Sequence, residues 1–116
     1  MTVEDLEVYK KAHSFALALY KATGRFPSEE RYGLCSQIRR AAVSINANLM
    51  EGSHRATRRE YHHFASISRG STGELKYLIL VSRDLDYIDE VSYLTLSSIA
   101  EDISRMLDAM MRSLEK

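Results

Sequence analysis

The chain has 116 residues, 45% of them hydrophobic and 28% charged, with a formal net charge of zero, which fits one globular domain and excludes an intrinsically disordered chain. No apolar run approaches the roughly 20 residues that span a bilayer, and the N-terminal segment lacks the hydrophobic centre of a secretion signal. The single proline and five glycines favour long helices, and the single cysteine fits a reducing, cytoplasmic location.

Apolar residues recur at helical spacing in four segments, which predict helices over about residues 3–23, 29–51, 57–85 and 90–114. Each segment starts at or just after a residue suited to the N-cap position, namely Thr2, Ser28, Thr57 and Asp89. Gly24 suits the left-handed backbone that ends many helices, so we predict that conformation there. Because the connections are only a few residues long, we predict an all-α, antiparallel up-down-up-down four-helix bundle.

The second helix carries two apolar faces rather than one. The face predicted to enter the bundle core contains Leu34, Ile38, Ala41, Ala42, Ile45 and Leu49. Val43, Ala47 and Met50 lie on the roughly opposite face, which Arg39 and Arg40 flank. Since one face suffices to reach a core, the second predicts an interface with another copy of the chain. The apolar residues of the first helix, which cover about half its circumference, favour the same interpretation.

The third helix has small residues in its middle. The predicted core face contains Phe64, Ile67, Ser68, Ser71, Leu75, Leu78, Ser82 and Leu85. Gly70 and Gly73 each lower helix propensity by roughly 1 kcal/mol relative to alanine. We therefore predict that they permit close approach of another helix, against Ala41 and Ala42.

Charge is distributed unevenly. The segment 31–69 has seven arginines and two acids, whereas the segment 70–116 has five basic and nine acidic residues. Arginine binds phosphate and carboxylate bidentately, so the arginines of helix two and of the following turn are candidate nucleic-acid ligands. These candidates are Arg39, Arg40, Arg55, Arg58 and Arg59. The alternatives are ion pairs with acids such as Glu51, Glu74 or Asp102, and a solvated loop.

The remaining reactive side chains do not form a recognised site. The adjacent His62 and His63 point about 100° apart on a helix and complete no metal-ligand spacing. The acids at residues 84–90 are predicted to cap and solvate a turn, and Cys35 has no catalytic signature. We therefore expect no metal, no cofactor and no enzymatic activity.

Three segments resemble a known family: DLEVYKKAH at 5–13, RFPSEERYGLCSQIRRAAVSINANLMEGS at 25–53, and EYHHFASISRGSTGEL at 60–75. They resemble the bacterial four-helix bundle proteins encoded by intervening sequences within large-subunit ribosomal RNA genes. That family is similar to the accessory protein of diversity-generating retroelements. Relatives carry a proline where this chain has Asn46, so we expect helix two to run straighter here.

The resemblance implies an architecture and, more loosely, a function. It implies a ring-shaped homopentamer of four-helix bundles, with the chain itself as its first partner. It also implies binding of RNA or DNA by the matching arginines, with a reverse transcriptase as a further partner if the gene lies in a retroelement. The alternative is a protein–protein assembly scaffold that binds no nucleic acid.

Overall fold

The computed structural model describes residues 1–116 and contains only helices, as predicted. The α-helices are α1 (Glu7–Thr23), α2 (Leu34–Ser53), α3 (Arg58–Asp84) and α4 (Glu90–Leu114), and short 3₁₀ turns occupy Val3–Asp5 and Ser28–Glu30. None of these helices combines the length and hydropathy needed to cross a membrane.

Contacts between neighbouring helices show that they run antiparallel. Between α3 and α4, Arg69 pairs with Asp108. Lys76, which comes later on α3, pairs with Glu101, which comes earlier on α4, so the two helices run in opposite directions. The α2–α3 contact reverses direction in the same way, through Arg40 with Glu74 and Ser44 with Ser71. α1 also packs against both α2 and α4, so the four helices close into a bundle.

The beginnings of α1 and α2 differ from the sequence prediction. The Thr2 N–H does donate to the Asp5 carboxylate at 3.0 Å, but this cap opens the 3₁₀ turn, and an extended Leu6 separates that turn from α1. α2 begins at Leu34, whose N–H donates to Glu30 Oε1 at 3.2 Å. Gly33 leaves room for that carboxylate, because a Cβ there would lie 2.9 Å from Glu30 Oε1.

The end of α1 also differs from the sequence prediction. Gly24 has a φ of −63°, so the predicted left-handed conformation is wrong. The C-terminus of α1 is instead closed by the Arg39 side chain of α2.

Local caps fix the starts of α3 and α4. The Thr57 hydroxyl accepts from the Glu60 N–H at 3.1 Å, and Asp89 Oδ1 accepts from the Ser92 N–H at 2.7 Å. The bond to the Ser92 N–H holds the pKa of Asp89 below its ordinary value. Both capping interactions join residues three apart, which is why the sequence alone locates them.

The core contains the predicted face of α2 in full. All six of its residues are buried, and they pack with Phe15 and Leu19 of α1, Leu75 and Ile79 of α3, and Ile103 and Leu107 of α4. The buried hydroxyls of α3 are satisfied by helix carbonyls. The Ser68 hydroxyl, for example, donates to the Ile45 carbonyl of α2 at 2.7 Å, which ties the two helices together.

The predicted core face of α3 is partly wrong. Ile67 and Leu85 are 38% and 49% exposed, whereas Ala65, Thr72 and Ile79 are buried. The predicted contact of the two glycines with Ala41 and Ala42 is also wrong. A Cβ added at Gly70 or Gly73 would meet no atom within 4 Å. The small residues at the α2 contact are Ser68 and Ser71 instead.

Candidate functional site

An apolar groove of about 510 Å³ runs along the surface between α1 and α2. We call it the α1/α2 groove. Its lining includes Tyr9, Leu17 and Tyr20 of α1 and Val43, Ala47 and Met50 of α2. The last three are the predicted interface residues, and the structure brings them together beside α1. The α1 members were not singled out from the sequence, although the wide apolar surface of α1 was the signal for them.

Large apolar side chains of this groove remain in contact with water. Leu17 is 59% exposed, Val43 is 49% exposed and Tyr20 is 41% exposed. His13 also lines the groove and is exposed. The bundle therefore leaves an apolar surface of two adjacent helices without an intramolecular partner.

Asn46 lies in the floor of the same groove. Its Nδ2 donates to the Tyr9 carbonyl at 2.8 Å, which links α2 to α1. Its Oδ1 is buried without a hydrogen-bond partner, and an unpaired buried acceptor costs about 1–3 kcal/mol. α2 continues as one uninterrupted helix across Asn46.

Arg39 closes the C-terminus of α1. Its Nε donates to Thr23 Oγ1 at 2.9 Å, and its Nη2 donates to the Tyr20 carbonyl at 3.0 Å. Its guanidinium carbon also lies 4.6 Å from the centroid of the Tyr20 ring. A cation at the negative end of the helix dipole stabilises that end. These contacts use two of the five guanidinium N–H groups and hold the side chain against α1, so Arg39 is less free to turn toward a phosphate than an exposed arginine.

Arg40 points outward from α2. It pairs with Glu74 of α3 at 3.6 Å while its side chain remains 68% exposed. Glu74 was one of the acids considered as a partner from the sequence. An exposed pair at this distance contributes little stability.

The other three candidate arginines are exposed; Arg55 lies in the turn between α2 and α3, and Arg58 and Arg59 are the first two residues of α3. Arg55 pairs with Glu51 at 3.3 Å and lies 4.9 Å from the Phe64 ring centroid. Arg58 Nη2 donates to the Ser113 carbonyl at the end of α4, at 2.8 Å. Neither Arg58 nor Arg59 pairs with a carboxylate of its own chain, in contrast to Arg55.

Most aromatic and histidine side chains near the turn between α2 and α3 already contact other groups of the chain. His62 Nε2 lies 3.0 Å from Glu115 Oε2, and His54 Nδ1 donates to the Met50 carbonyl at 3.0 Å. The Tyr61 ring packs so closely on α2 at Gly52 that a Cβ added to this glycine would lie 2.9 Å from the ring. Burial raises the pKa of Tyr61 by disfavouring its phenolate.

The other reactive groups have structural contacts. The Cys35 thiol is buried and its Sγ donates to the Thr23 carbonyl at 3.4 Å. No three His, Cys, Asp or Glu side chains lie close enough together to hold a metal ion.

Comparison with known proteins places the chain. The family described as 23S rRNA-intervening sequence protein matches residues 4–109. A crystal structure of a protein of unknown function from the S23 ribosomal protein family of Bacteroides thetaiotaomicron VPI-5482 superposes with a TM-score of 0.83. That protein is 20% identical, and the alignment covers 90% of this chain and 95% of the other, which supports the shared fold. No curated protein matches the chain. Since the family match spans nearly the whole bundle, the chain belongs to the 23S rRNA-intervening sequence protein family.

Proposed function

We propose that this chain is a non-enzymatic bundle protein that associates with copies of itself through the α1/α2 groove. The exposed Leu17, Tyr20 and Val43 of that groove carry the proposal. Full burial of a side chain of this size contributes about 1.5–3 kcal/mol, so a partner that covers several of them gains substantially. Contiguous exposed apolar surface of this kind is typical of protein interfaces.

The proposed assembly is a closed ring of five copies. The number five comes from the family resemblance, and the groove supports self-association without fixing the number. In a ring each copy uses two different surfaces, one to receive the preceding copy and one to contact the next.

Light scattering of the purified protein tests self-association. Val43→Glu or Ala47→Glu places a charge in the groove on an exposed position, so the monomer folds and the oligomer dissociates. Ser98→Glu adds the same charge to the exposed surface of α4 and keeps the wild-type mass. Wild-type mass in both groove variants would refute the proposal. The wild-type mass itself counts the subunits.

The second candidate function is RNA or DNA binding at the turn between α2 and α3. Its support is that Arg58 and Arg59 are exposed and lack carboxylate partners, at the N-terminus of α3. The backbone N–H groups of a helix N-terminus favour anions, and arginine binds phosphate bidentately. Arg55 and Arg40 lie near carboxylates, so they contribute to binding only if phosphate displaces those acids.

A salt titration with short labelled RNA and DNA tests this candidate. The Arg58→Ala/Arg59→Ala double variant weakens binding and flattens its salt dependence, because fewer counterions are released from the nucleic acid. Arg25→Ala/Arg31→Ala removes two exposed arginines from the connection between α1 and α2 and serves as the matched control. Absence of binding at low salt by an assembled wild-type oligomer would leave the protein-scaffold alternative.

A further inference from the structure

The outer surface of α3 carries a second apolar feature that the bundle does not use. Ile67, Gly70, Glu74 and Tyr77 are spaced three or four residues apart, so they form one line on the helix. Ile67 is 38% exposed and Tyr77 is 66% exposed. We call this line the α3 stripe.

The glycine of the α3 stripe has no explanation within the chain. A Cβ at Gly70 would meet nothing within 4 Å, so no neighbouring atom of the same chain requires its absence. Glycine is nevertheless among the least favourable residues inside a helix. Its remaining benefit is an uncovered backbone, which lets another helix approach α3 closely between Ile67 and Tyr77.

We propose that the α3 stripe of one copy packs into the α1/α2 groove of the next copy. This inference rests on the proposed self-association and adds the second surface of the interface. It makes the contact heterologous, with a different surface contributed by each copy.

The two surfaces lie at the same level along the bundle. Asn46, in the floor of the groove, donates to the Tyr9 carbonyl of α1, and the adjacent Ile45 carbonyl accepts from Ser68 of α3, so Tyr9 lies level with the Ile67 end of the stripe. At the other end of the groove, Arg39 donates to the Tyr20 carbonyl and Arg40 pairs with Glu74, so Tyr20 lies level with the Glu74–Tyr77 end of the stripe. Rotation about an axis parallel to the bundle, without translation, therefore brings stripe and groove together, which is the condition for a closed ring rather than a filament.

The length and charge of the two surfaces also match. The groove follows α1 from Tyr9 to Tyr20, and the stripe runs from Ile67 to Tyr77, so each spans about 15–17 Å. Lys21 is exposed at the edge of the groove, next to Tyr20. Glu74 lies near the same level, because its partner Arg40 follows Arg39, which contacts Tyr20. The 3.6 Å pair of Glu74 with the exposed Arg40 is weak, so the acid can also approach Lys21 of the neighbouring copy.

Another exposed apolar cluster fits less well. Leu85, Val91 and Leu94 lie around the turn between α3 and α4, at the end of the bundle opposite the start of α1. Docking this cluster in the middle of a neighbouring groove would require translation along the bundle, which produces an open helical assembly.

Two variants test the α3 stripe by itself. Gly70→Arg adds a long side chain where the chain has open space, so the helical circular dichroism is retained while the oligomer dissociates to monomer. Tyr77→Glu, at an independent exposed position, has the same effect. Ala109→Arg, on the exposed surface of α4, is the matched control and keeps the wild-type mass.

Mixing two defective proteins tests the pairing. Gly70→Arg retains an intact groove, and Val43→Glu retains an intact stripe. Each alone is monomeric, and an equimolar mixture forms a dimer that cannot grow, because one intact stripe meets one intact groove. A mixture that stays monomeric, or stripe variants with wild-type mass, would overturn the inference. Wild-type mass in both groove variants would instead overturn the proposed self-association.

Discussion

The outer surfaces of two helix pairs in this bundle are built from opposite chemistry. Along α3 and α4, Arg69 Nε lies 2.6 Å from Asp108 Oδ1, and Lys76 Nζ lies 2.6 Å from Glu101 Oε2. No hydrophobic side chain lines the shallow depression between these pairs. Along α1 and α2, the corresponding depression is the apolar α1/α2 groove.

The difference indicates which surface is complete in the isolated chain. The charged pairs between α3 and α4 are hydrated and need no further partner, although Gly70 of the α3 stripe lies at the edge of the same depression. The apolar side chains between α1 and α2 gain free energy only when something covers them. The two helix pairs differ only on the outside of the bundle, because α1 and α2, like α3 and α4, contribute fully buried residues to one core.

Equivalent truncations beneath the two surfaces should therefore cost the same. Leu49 of α2 and Leu107 of α4 both have 0% exposure. Leu→Ala at either position removes buried contacts and leaves a cavity, which lowers the free energy of unfolding by about 2–5 kcal/mol. Urea denaturation of both variants in the Val43→Glu background, where assembly does not contribute, measures the two costs. A much smaller cost at Leu49 would show that the α1–α2 side is loosely packed inside as well.

The polar links across the two helix pairs should differ in strength. Arg39→Ala removes two hydrogen bonds at the C-terminus of α1 and the contact with Tyr20, so we expect a loss of about 1–2 kcal/mol. Arg69→Ala breaks one ion pair in which the arginine side chain is 55% exposed, so the loss stays below about 1 kcal/mol. Denaturant midpoints of the two variants compare them directly. Equal losses would mean that the capping role of Arg39 is wrong.

Sequence reasoning succeeded where the determinants are local. The starts of α3 and α4 follow from caps between residues three apart, and the core face of α2 follows from a clear apolar period. It failed on α3, where small residues on several faces blur that period, so that Ile67 was assigned to the core and Thr72 was not.

The roles of the candidate arginines depend on contacts that sequence does not reveal. Arg39 binds α1 through residues 16 and 19 positions earlier in the chain. Arg58 reaches a carbonyl 55 positions later. Both roles require the folded bundle to bring helix ends together. The apolar face of α2, by contrast, was predictable because its spacing is visible within one helix.

The smallest expected effect concerns the pH dependence of the α3–α4 side. The hydrogen bond from Lys76 lowers the pKa of Glu101 from its ordinary 4.5, and the charge of Lys76 acts in the same direction. A carboxyl with a lowered pKa stabilises the folded state above its unfolded-state pKa, and this contribution disappears as the pH falls through the folded-state value. In the Val43→Glu background, the protein that also carries Glu101→Gln should therefore lose less stability between pH 6 and acid pH than its Val43→Glu parent. Urea midpoints at each pH measure the two losses. Glu29→Gln, at an exposed position outside this contact, serves as the control. Identical acid sensitivity of the Glu101→Gln variant and its parent would show that this ion pair contributes nothing to folding.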